Sequence, residues 1–363
     1  MDFSWISNLA KKSSGLIGLE ISSSKVKLLE LSQGAQGYRI ESYAVEPLPP
    51  GAMQDHEIKD MEAVGAAINR GLRRSQSRSK SAAVMVHGSG VITKVIQMSA
   101  ALTEHEVAIQ IQLEAERHIP FPLAEVNLDF QIMGPSAKNP DLVDVLLAAS
   151  RTEIVDNLVE VLSLGGLTAK VVDIEAYALE RALCLIADQI PNEGENQTIA
   201  LVDIGETMTT FGILRDRVMI YTREQMFGGK QLTEEIQRRY GLTFEEANLA
   251  KKLGGLPEDY LGEILEPFKE SVVQQVSRFL QFFFSSSDFV EVNYIVLAGG
   301  TATLSGLMER VEEKLEISTL IANPFLNMSI APRVNMVSLF EDAPILMTCC
   351  GLALRNFSHA HQY

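Results

Sequence analysis

Leu16-Ile-Gly-Leu-Glu-Ile-Ser-Ser-Ser-Lys-Val-Lys-Leu-Leu-Glu-Leu31 is the stretch on which the reading of this chain turns. Two apolar runs flank Glu20 and three serines, Ser22, Ser23 and Ser24. Taken alone, it is a β-hairpin, residues 16–21 turning back through residues 26–31.

A second stretch widens that reading. Leu201-Val-Asp-Ile-Gly-Glu-Thr-Met-Thr-Thr-Phe-Gly212 has the same order: an apolar strand ending in acid-Ile, a turn of small or hydroxylated residues, and a second strand. Glu20 aligns with Asp203, Ser22 with Gly205 and Ser24 with Thr207. A repeat this far apart implies two similar lobes. Small and hydroxyl residues in a tight turn let backbone N–H groups and Oγ atoms approach phosphate oxygens. An acid at each strand end can hold Mg²⁺ through its waters, because Mg²⁺ gives up hydration reluctantly. Two such turns from opposite lobes would clamp a polyphosphate. Two unrelated hairpins remain a fair reading of either segment alone and a weak one of the pair.

Glycines mark two more places. Tyr294-Ile-Val-Leu-Ala runs into Gly299-Gly300-Thr301 and then a helical pattern, where a bare backbone allows close approach of a ring or ribose. Phe227-Gly-Gly-Lys likewise opens a helix. Neither is a Walker A loop, since no Gly-x-x-x-x-Gly-Lys-Ser/Thr occurs.

Composition narrows the class. At 363 residues and 46% hydrophobic content the chain can bury the cores of two lobes. A net charge of -16 argues against a nucleic-acid binder, which needs a basic footprint. Cys184, Cys349 and Cys350 offer neither a disulfide framework nor metal-ligand spacing, and a reducing cytoplasm fits. No signal peptide and no bilayer-length apolar run is apparent. Residues 3–12 read as a short amphipathic helix, weak as a membrane toe-hold and better taken as a flexible or docked terminus. The basic, serine-rich residues 73–80 read as a solvent-facing loop, with a phosphate patch as the sharper alternative.

Strands are expected at 16–21, 26–31, 38–45, 82–86, 91–98, 126–133, 143–149, 198–202, 209–214 and from 294. Helices are expected at 61–72, 153–164, 171–186 and 230–240, then in a stretch running to 284, and finally at 345–357. Thr103-Glu-His-Glu106 is a capping box. The helix it opens places Ala108, Ile111, Ala115 and Ile119 on one stripe and stops at Pro120. Mixed strands and helices make the class α/β.

These residues resemble the actin–Hsp70–FtsA superfamily of ATP-binding proteins: first phosphate loop, connecting helix, second phosphate loop, adenosine loop. Within it the chain is similar to the PilM family of type IV pilus assembly, in Lys25-Val-Lys-Leu-Leu-Glu-Leu, Glu114-Ala-Glu-Arg-His-Ile-Pro-Phe-Pro-Leu and Gln231-Leu-Thr-Glu-Glu-Ile-Gln-Arg-Arg-Tyr-Gly-Leu. The resemblance implies a two-lobed actin-like (ribonuclease H-like) fold with an FtsA-type relocated subdomain. Residues 1–99, 166–197 and 345–363 would form the first lobe and 100–165 the inserted subdomain. Residues 198–344 would form the second lobe, with a helical subdomain at about 231–290.

It also implies ATP and Mg²⁺ as cofactors. Glu20 and Asp203 would be the Mg²⁺-water acids. Ser22, Ser23, Ser24, Lys25 and Lys27 would surround the first phosphate turn, and Gly205, Glu206 and Thr207 the second. Gly299, Gly300 and Thr301 would meet adenosine, with Lys230 and Glu234 near ribose or purine, and Glu175 would position the attacking water, an ordinary helix carboxylate being an equally fair reading of it. Actin-like first loops usually carry glycines where this chain has Ser22 and Ser24, and the second loop has Glu206-Thr207-Met208 after Gly205 in place of its usual second small residue; both narrow the phosphate space and favour binding over fast turnover.

The partner implied is the cytoplasmic N-terminal peptide of PilN, a motif with a basic residue that an acidic surface suits. Its groove would involve residues 91–98 and the His118-Ile-Pro-Phe-Pro turn, where Phe121 also reads as a core plug. The setting implied is the cytoplasmic side of the inner membrane, reached through that partner, with self-association open. An FtsA-like filament protein would end in an amphipathic helix, which Asn356-Phe-Ser-His-Ala-His-Gln-Tyr does not resemble. A sugar or acetate kinase would need a catalytic Asp base that is not found here.

Overall fold

The computed structural model describes residues 15–35, 37–136 and 139–357. The expected N-terminal helix, residues 3–12, and most of the polar C-terminus lie outside them. The described residues fall into two compact units: residues up to 33, 44–175 and from 352 in the first, residues 34–43 and 176–351 in the second.

The first unit begins with the opening hairpin, β1 (Leu16–Ile21) and β2 (Lys25–Gly34), paired antiparallel. Every residue of β1 is buried. That burial on both faces follows from its place beside β2 on one edge and a parallel strand on the other. The chain continues through β3 (Gly37–Pro47), the short pair β4 (Met53–Gln54) and β5 (Glu57–Ile58), and helix α1 (Met61–Ser75), whose Asp60 caps the N–H of Ala63. Then β6 (Ser81–Val86) lies parallel to β1.

A three-stranded antiparallel sheet follows, in the order β7 (Val91–Ser99), β9 (Leu142–Arg151), β8 (Val126–Pro135). Helix α2 (Glu104–His118) covers one face, and the Thr103/Glu106 capping box forms as expected. Its buried side is Val107, Ile111 and Ala115; Ala108, expected on that stripe, is only half-buried. Phe121 is partly buried against this small core under the Arg151 guanidinium, 4.2 Å from its ring centre. Helix α3 (Thr152–Leu164) sends Leu158, Val161 and Leu162 into the core formed by β1, β6 and α1.

β10 (Thr168–Ile174) corrects the expectation of a helix over 171–186. Its Val171, Val172 and Ile174 are β-branched, and it pairs parallel with β6 from Thr168↔Ser81 to Ile174↔Val86. The sheet order within the unit is β10-β6-β1-β2. Helix α4 (Glu175–Leu183) begins only where that strand ends, and a 3₁₀ segment, Cys184–Gln189, replaces the rest of the expected helix.

In the second unit β11 (Thr198–Ile204), β12 (Thr209–Arg215) and β13 (Val218–Gln225) form an antiparallel meander. β13 carries no sequence expectation. Its alternating exposure follows from its edge position. Helices α5 (Gly229–Tyr240), α6 (Phe244–Leu253) and α7 (Glu266–Ser286) follow, with one π-helical turn, Leu261–Leu265, ahead of α7. β14 (Tyr294–Ala298) and β15 (Ser318–Ile321) extend the sheet in parallel beyond β11, with α8 (Leu307–Leu315) between them. β16 (Ser329–Ile330) pairs with β3 at Ser329↔Arg39. Helix α9 (Met336–Glu341) and the short α10 (Met347–Ala353) follow; 3₁₀ turns on both sides of α10 break the single apolar helix expected over 345–357. Phe211, Phe279 and Phe283 are fully buried in this core, each side chain contributing about 2–3 kcal/mol by leaving water.

Candidate functional site

The two hairpins that opened the sequence reading have the same turn. In the first unit the Ser22 N–H donates to the Lys25 carbonyl at 2.9 Å; in the second the Gly205 N–H donates to the Met208 carbonyl at 2.9 Å. Both donors lie two residues beyond the acid, and both acids close a strand that is antiparallel to its hairpin partner and parallel to its other neighbour. Glu20 faces Lys27 across the first ladder, and Asp203 faces Thr210 across the second. The repeat is structural as well as sequential.

In the first unit Glu20 and Lys27 are both buried, and Lys27 Nζ donates to Glu20 Oε1 at 2.5 Å. Two charges taken out of water together are held by each other. Glu20 Oε2 is buried without a hydrogen-bond partner, an acceptor left open. Ser22 Oγ donates to the Lys25 carbonyl at 3.0 Å, and the Leu48 N–H donates to the Ser24 carbonyl at 2.8 Å. Ser22, Ser23, Ser24 and Lys25 are half-buried, and none has a positive φ, so serines take this turn without the strain that would call for glycine.

His87 had no place in the sequence reading. It follows β6 directly, at the carboxyl ends of the parallel strands, where open α/β sheets place their ligands. Its Nδ1 is 3.2 Å from Glu175 Oε2 and its Nε2 is 3.4 Å from the Ile21 carbonyl, so it joins the end of β1 to the start of α4. Glu175 is itself buried. The His56 ring lies against His87, centroids 3.8 Å apart, and its Nε2 is buried without a partner. Burial first, and the neighbouring His87 second, push the His56 imidazole down to about 4. His56 is therefore neutral across the physiological range. The first unit thus brings Glu20, Lys27, the serine turn and, through His87, Glu175 to one end of its sheet.

In the second unit three turns converge. The Gly205 carbonyl accepts from the Gly229 N–H at 3.0 Å and from Thr301 Oγ1 at 3.3 Å, while the Glu206 carbonyl accepts from the Lys230 N–H at 2.8 Å. A Cβ on Gly228 would stand 2.5 Å from the Glu206 carbonyl oxygen, and one on Gly299 would stand 2.4 Å from Asp203 Oδ1. Gly299 also has φ +81°, and its N–H donates to the Pro344 carbonyl at 2.9 Å. Glycine is thus required where Asp203 and the turn after β14 touch. Thr301 is buried and ties the turns together through its hydroxyl, while Glu206 and Thr207 are half-buried.

Lys230 and Glu234 form a half-exposed ion pair at 3.7 Å on the outer side of α5. The sequence reading missed Lys251 on α6, whose Nζ donates to the Gly229 carbonyl at 3.2 Å and to Thr233 Oγ1 at 2.7 Å. It holds the first turn of α5 in place from twenty-odd residues away, with no spacing pattern to announce it.

Compared with known proteins, the sequence matches the family described as type IV pilus assembly protein PilM over residues 18–357. A solved PilM–PilN type IV pilus biogenesis complex is similar over 95% of this chain and 99% of the matched one, at 28% identity and a TM-score of 0.79. The ethanolamine utilization protein EutJ from Carboxydothermus hydrogenoformans is similar over 94% of this chain and 89% of its own, at 15% identity and a TM-score of 0.56, a likeness of fold alone. The fold is the actin-like α/β fold expected from the sequence.

Proposed function

Because this chain belongs to the PilM family of type IV pilus assembly proteins, we propose that it is a scaffold of the pilus machinery that binds ATP with Mg²⁺ and takes the cytoplasmic peptide of a PilN-like partner at the inner-membrane face. The observation that carries the nucleotide reading is the matched pair of acid-ended hairpins, Glu20 with Ser22 and Asp203 with Gly205, each with the same backbone turn. The glycine-lined convergence of Gly205, Gly228 and Gly299 supports it.

The residues fit a hydrated cation. Glu20 Oε2 is a buried acceptor with no partner, which suits a hydrogen bond from metal-bound water. Mg²⁺ would supply charge neutralisation of the phosphates. Ser22, Ser23 and Ser24 would offer N–H and hydroxyl groups to phosphate oxygens in the first unit, and Gly205, Glu206 and Thr207 would do so in the second, with Lys25 beside the first turn. Lys27 would act on phosphate only in balance with Glu20, its partner in the structure. Gly299, Gly300 and Thr301 would line the adenosine side, with Lys230 and Glu234 at its edge. Glu175 would orient a water, held in place by His87.

The peptide reading is supported by the likeness to the PilM–PilN complex. Strand β7 lies at an edge of its sheet with Thr93, Lys94, Val95 and Gln97 exposed, an arrangement that suits addition of an extended segment.

The deciding experiment is thermal denaturation with and without ATP and Mg²⁺. Saturating ligand should raise the melting temperature, since about 2.7 kcal/mol is gained at a hundredfold excess over Kd. Asp203→Ala should abolish the rise. A melting temperature unmoved by saturating ATP would sink the nucleotide reading. Failure of a PilN N-terminal peptide to bind, with or without nucleotide, would sink the partner reading.

A further inference from the structure

The basic residues 73–80 are not used by the function proposed above. Within the first unit they stand where β1, β6 and β10 begin, for Leu16 and Thr168 both lie beside Ser81 in the strand register. Glu20, His87 and Glu175 lie at the opposite ends of those strands. Six exposed cations gather at this pole: Arg70, Arg73 and Arg74 from the end of α1, Arg78 and Lys80, and Lys170, the bulged residue of edge strand β10. The Lys80 carbonyl accepts from the Thr168 N–H at 2.7 Å, which joins the basic loop to the start of β10.

Two of the six are answered locally, since Glu46 pairs with Arg70 at 3.7 Å and Arg74 at 3.3 Å. Glu30 accepts from Ser77 Oγ at 2.7 Å. The dipole of α1 gives Arg73 a structural reason to be where it is. Arg73, Arg78, Lys80 and Lys170 nevertheless have no ion-pair or side-chain hydrogen-bond partner among the described residues. Arg73 and Lys80 line a cleft of about 300 Å³ together with Asn69, Leu72, Gln76 and Ser77. Asn69 Nδ2 donates to the Gly165 carbonyl at 3.4 Å, so the end of α3 borders the cleft, and there Leu164 is 51% exposed. Four unanswered cations on one pole of a chain of net charge -16 mark a surface for an anionic partner.

Shape and charge together select the occupant. A single small anion would fill the cleft and leave Arg78, Lys170 and Leu164 unused. A bilayer surface is flat on this scale and does not enter the concavity that holds Arg73 and Lys80. A nucleic acid would bring a long run of phosphates against a chain whose net charge repels it. An extended protein segment presents side chains about 7 Å apart on one face, so its carboxylates can enter the cleft and also reach the cations beside it. Clusters of arginine are a recurrent means of reading such acidic motifs. Repulsion by the rest of the chain would confine an acidic segment to this pole and so fix its orientation.

We propose that this pole docks an extended acidic segment of a partner protein, its carboxylates meeting Arg73 and Lys80 in the cleft and Arg78 and Lys170 beside it, with an apolar side chain against Leu164. This partner is chemically opposite to the PilN-like peptide, which carries a basic residue, and its docking is independent of that peptide and of nucleotide.

The test is fluorescence anisotropy of the full chain, without nucleotide, with a labelled peptide of glutamate pairs separated by leucines and with its glutamine counterpart. The acidic peptide should bind, the glutamine peptide should not, and binding should fade at about 0.5 M salt, where the Debye length falls to a few ångströms. The triple variant Arg73→Glu, Arg78→Glu, Lys80→Glu should weaken binding at least about tenfold, by loss and reversal of the charges that attract the peptide. The milder triple variant Arg73→Gln, Arg78→Gln, Lys80→Gln should weaken it at least about threefold, by loss of the charges alone. Melting temperatures serve as the folding control for both. Vesicles of phosphatidylglycerol and phosphatidylcholine, and a single-stranded oligonucleotide, are offered as competitors at matched charge and should displace the peptide poorly. No binding of the acidic peptide, equal binding of its glutamine counterpart, undiminished binding by either folded variant, or efficient displacement by vesicles or oligonucleotide would each overturn the proposal.

Discussion

His87 Nδ1 lies 3.2 Å from Glu175 Oε2, joining the residue after β6 to the first residue of α4. Both side chains are largely withdrawn from solvent, with exposures of 13% and 10%. A buried carboxylate that loses a hydrogen-bond partner bears a desolvation cost, so His87→Ala should destabilise the protein by roughly 1–3 kcal/mol. In the background of Glu175→Gln the same change should cost less, because the two effects are not independent. Urea denaturation of the four proteins measures the coupling. Strictly additive losses would show that the contact carries no energy.

Stability should depend on pH through His56. Its folded-state value is about 4, against 6.5 for an ordinary histidine, through burial first and His87 second, with Glu175 and Asp55 acting in the opposite sense. As pH falls below 6.5 the unfolded chain takes up a proton that the folded protein refuses, so stability declines until about pH 4 and the deficit is then constant. His56→Gln removes this term. The wild-type melting temperature should fall more steeply than the variant's between pH 6.5 and 4, and parallel curves would contradict the assignment.

Thiol labelling should separate the three cysteines. Cys349 and Cys350 are buried, and burial raises the Cys350 thiol far above its ordinary value, so neither should react in the folded state. Cys184 is exposed, but partial desolvation and then the Glu180 carboxylate raise its thiol too. The native protein should therefore take up one equivalent of a maleimide slowly, and three after denaturation. Rapid native labelling of a second thiol would contradict the burial of the α10 pair.

Local chemistry explains what was legible in the sequence. The hairpins around Glu20 and Asp203 were readable because each acid interrupts an apolar run at the same offset from a polar turn, and the capping box at Thr103 fixed the start of α2. β10 was not, because a parallel strand flanked by Glu175-Ala-Tyr-Ala-Leu-Glu-Arg lacks alternation and merges with the helix behind it. His87 and Lys251 were invisible for a different reason. Each acts on residues distant in the chain, Glu175 and Gly229, and a single histidine or lysine carries no spacing. A histidine immediately after a buried strand was the one available sign, and it gains meaning only once β1, β6 and β10 are known to be parallel neighbours.

Gly299 and Gly300 are adjacent and should differ sharply in their response to alanine. A Cβ at Gly299 would fall 2.4 Å from both Asp203 Oδ1 and the Ile204 carbonyl oxygen, on a backbone with φ +81°. Neither obstacle is the loose end of a long side chain, since Ile204 contributes backbone and Asp203 is short. At Gly300 the nearest atom is Ile345 Cγ2 at 3.7 Å, an ordinary contact. Gly299→Ala should therefore cost roughly 2–4 kcal/mol, combining left-handed strain with displacement of the Asp203 strand end. Gly300→Ala should stay within about 1 kcal/mol. Because the first displacement moves Asp203, Gly299→Ala should also lose any thermal response to ATP with Mg²⁺, which Gly300→Ala keeps. Chemical denaturation paired with the ligand shift reads both outcomes, and equal stability of the two variants would mean that Asp203 is not packed against Gly299.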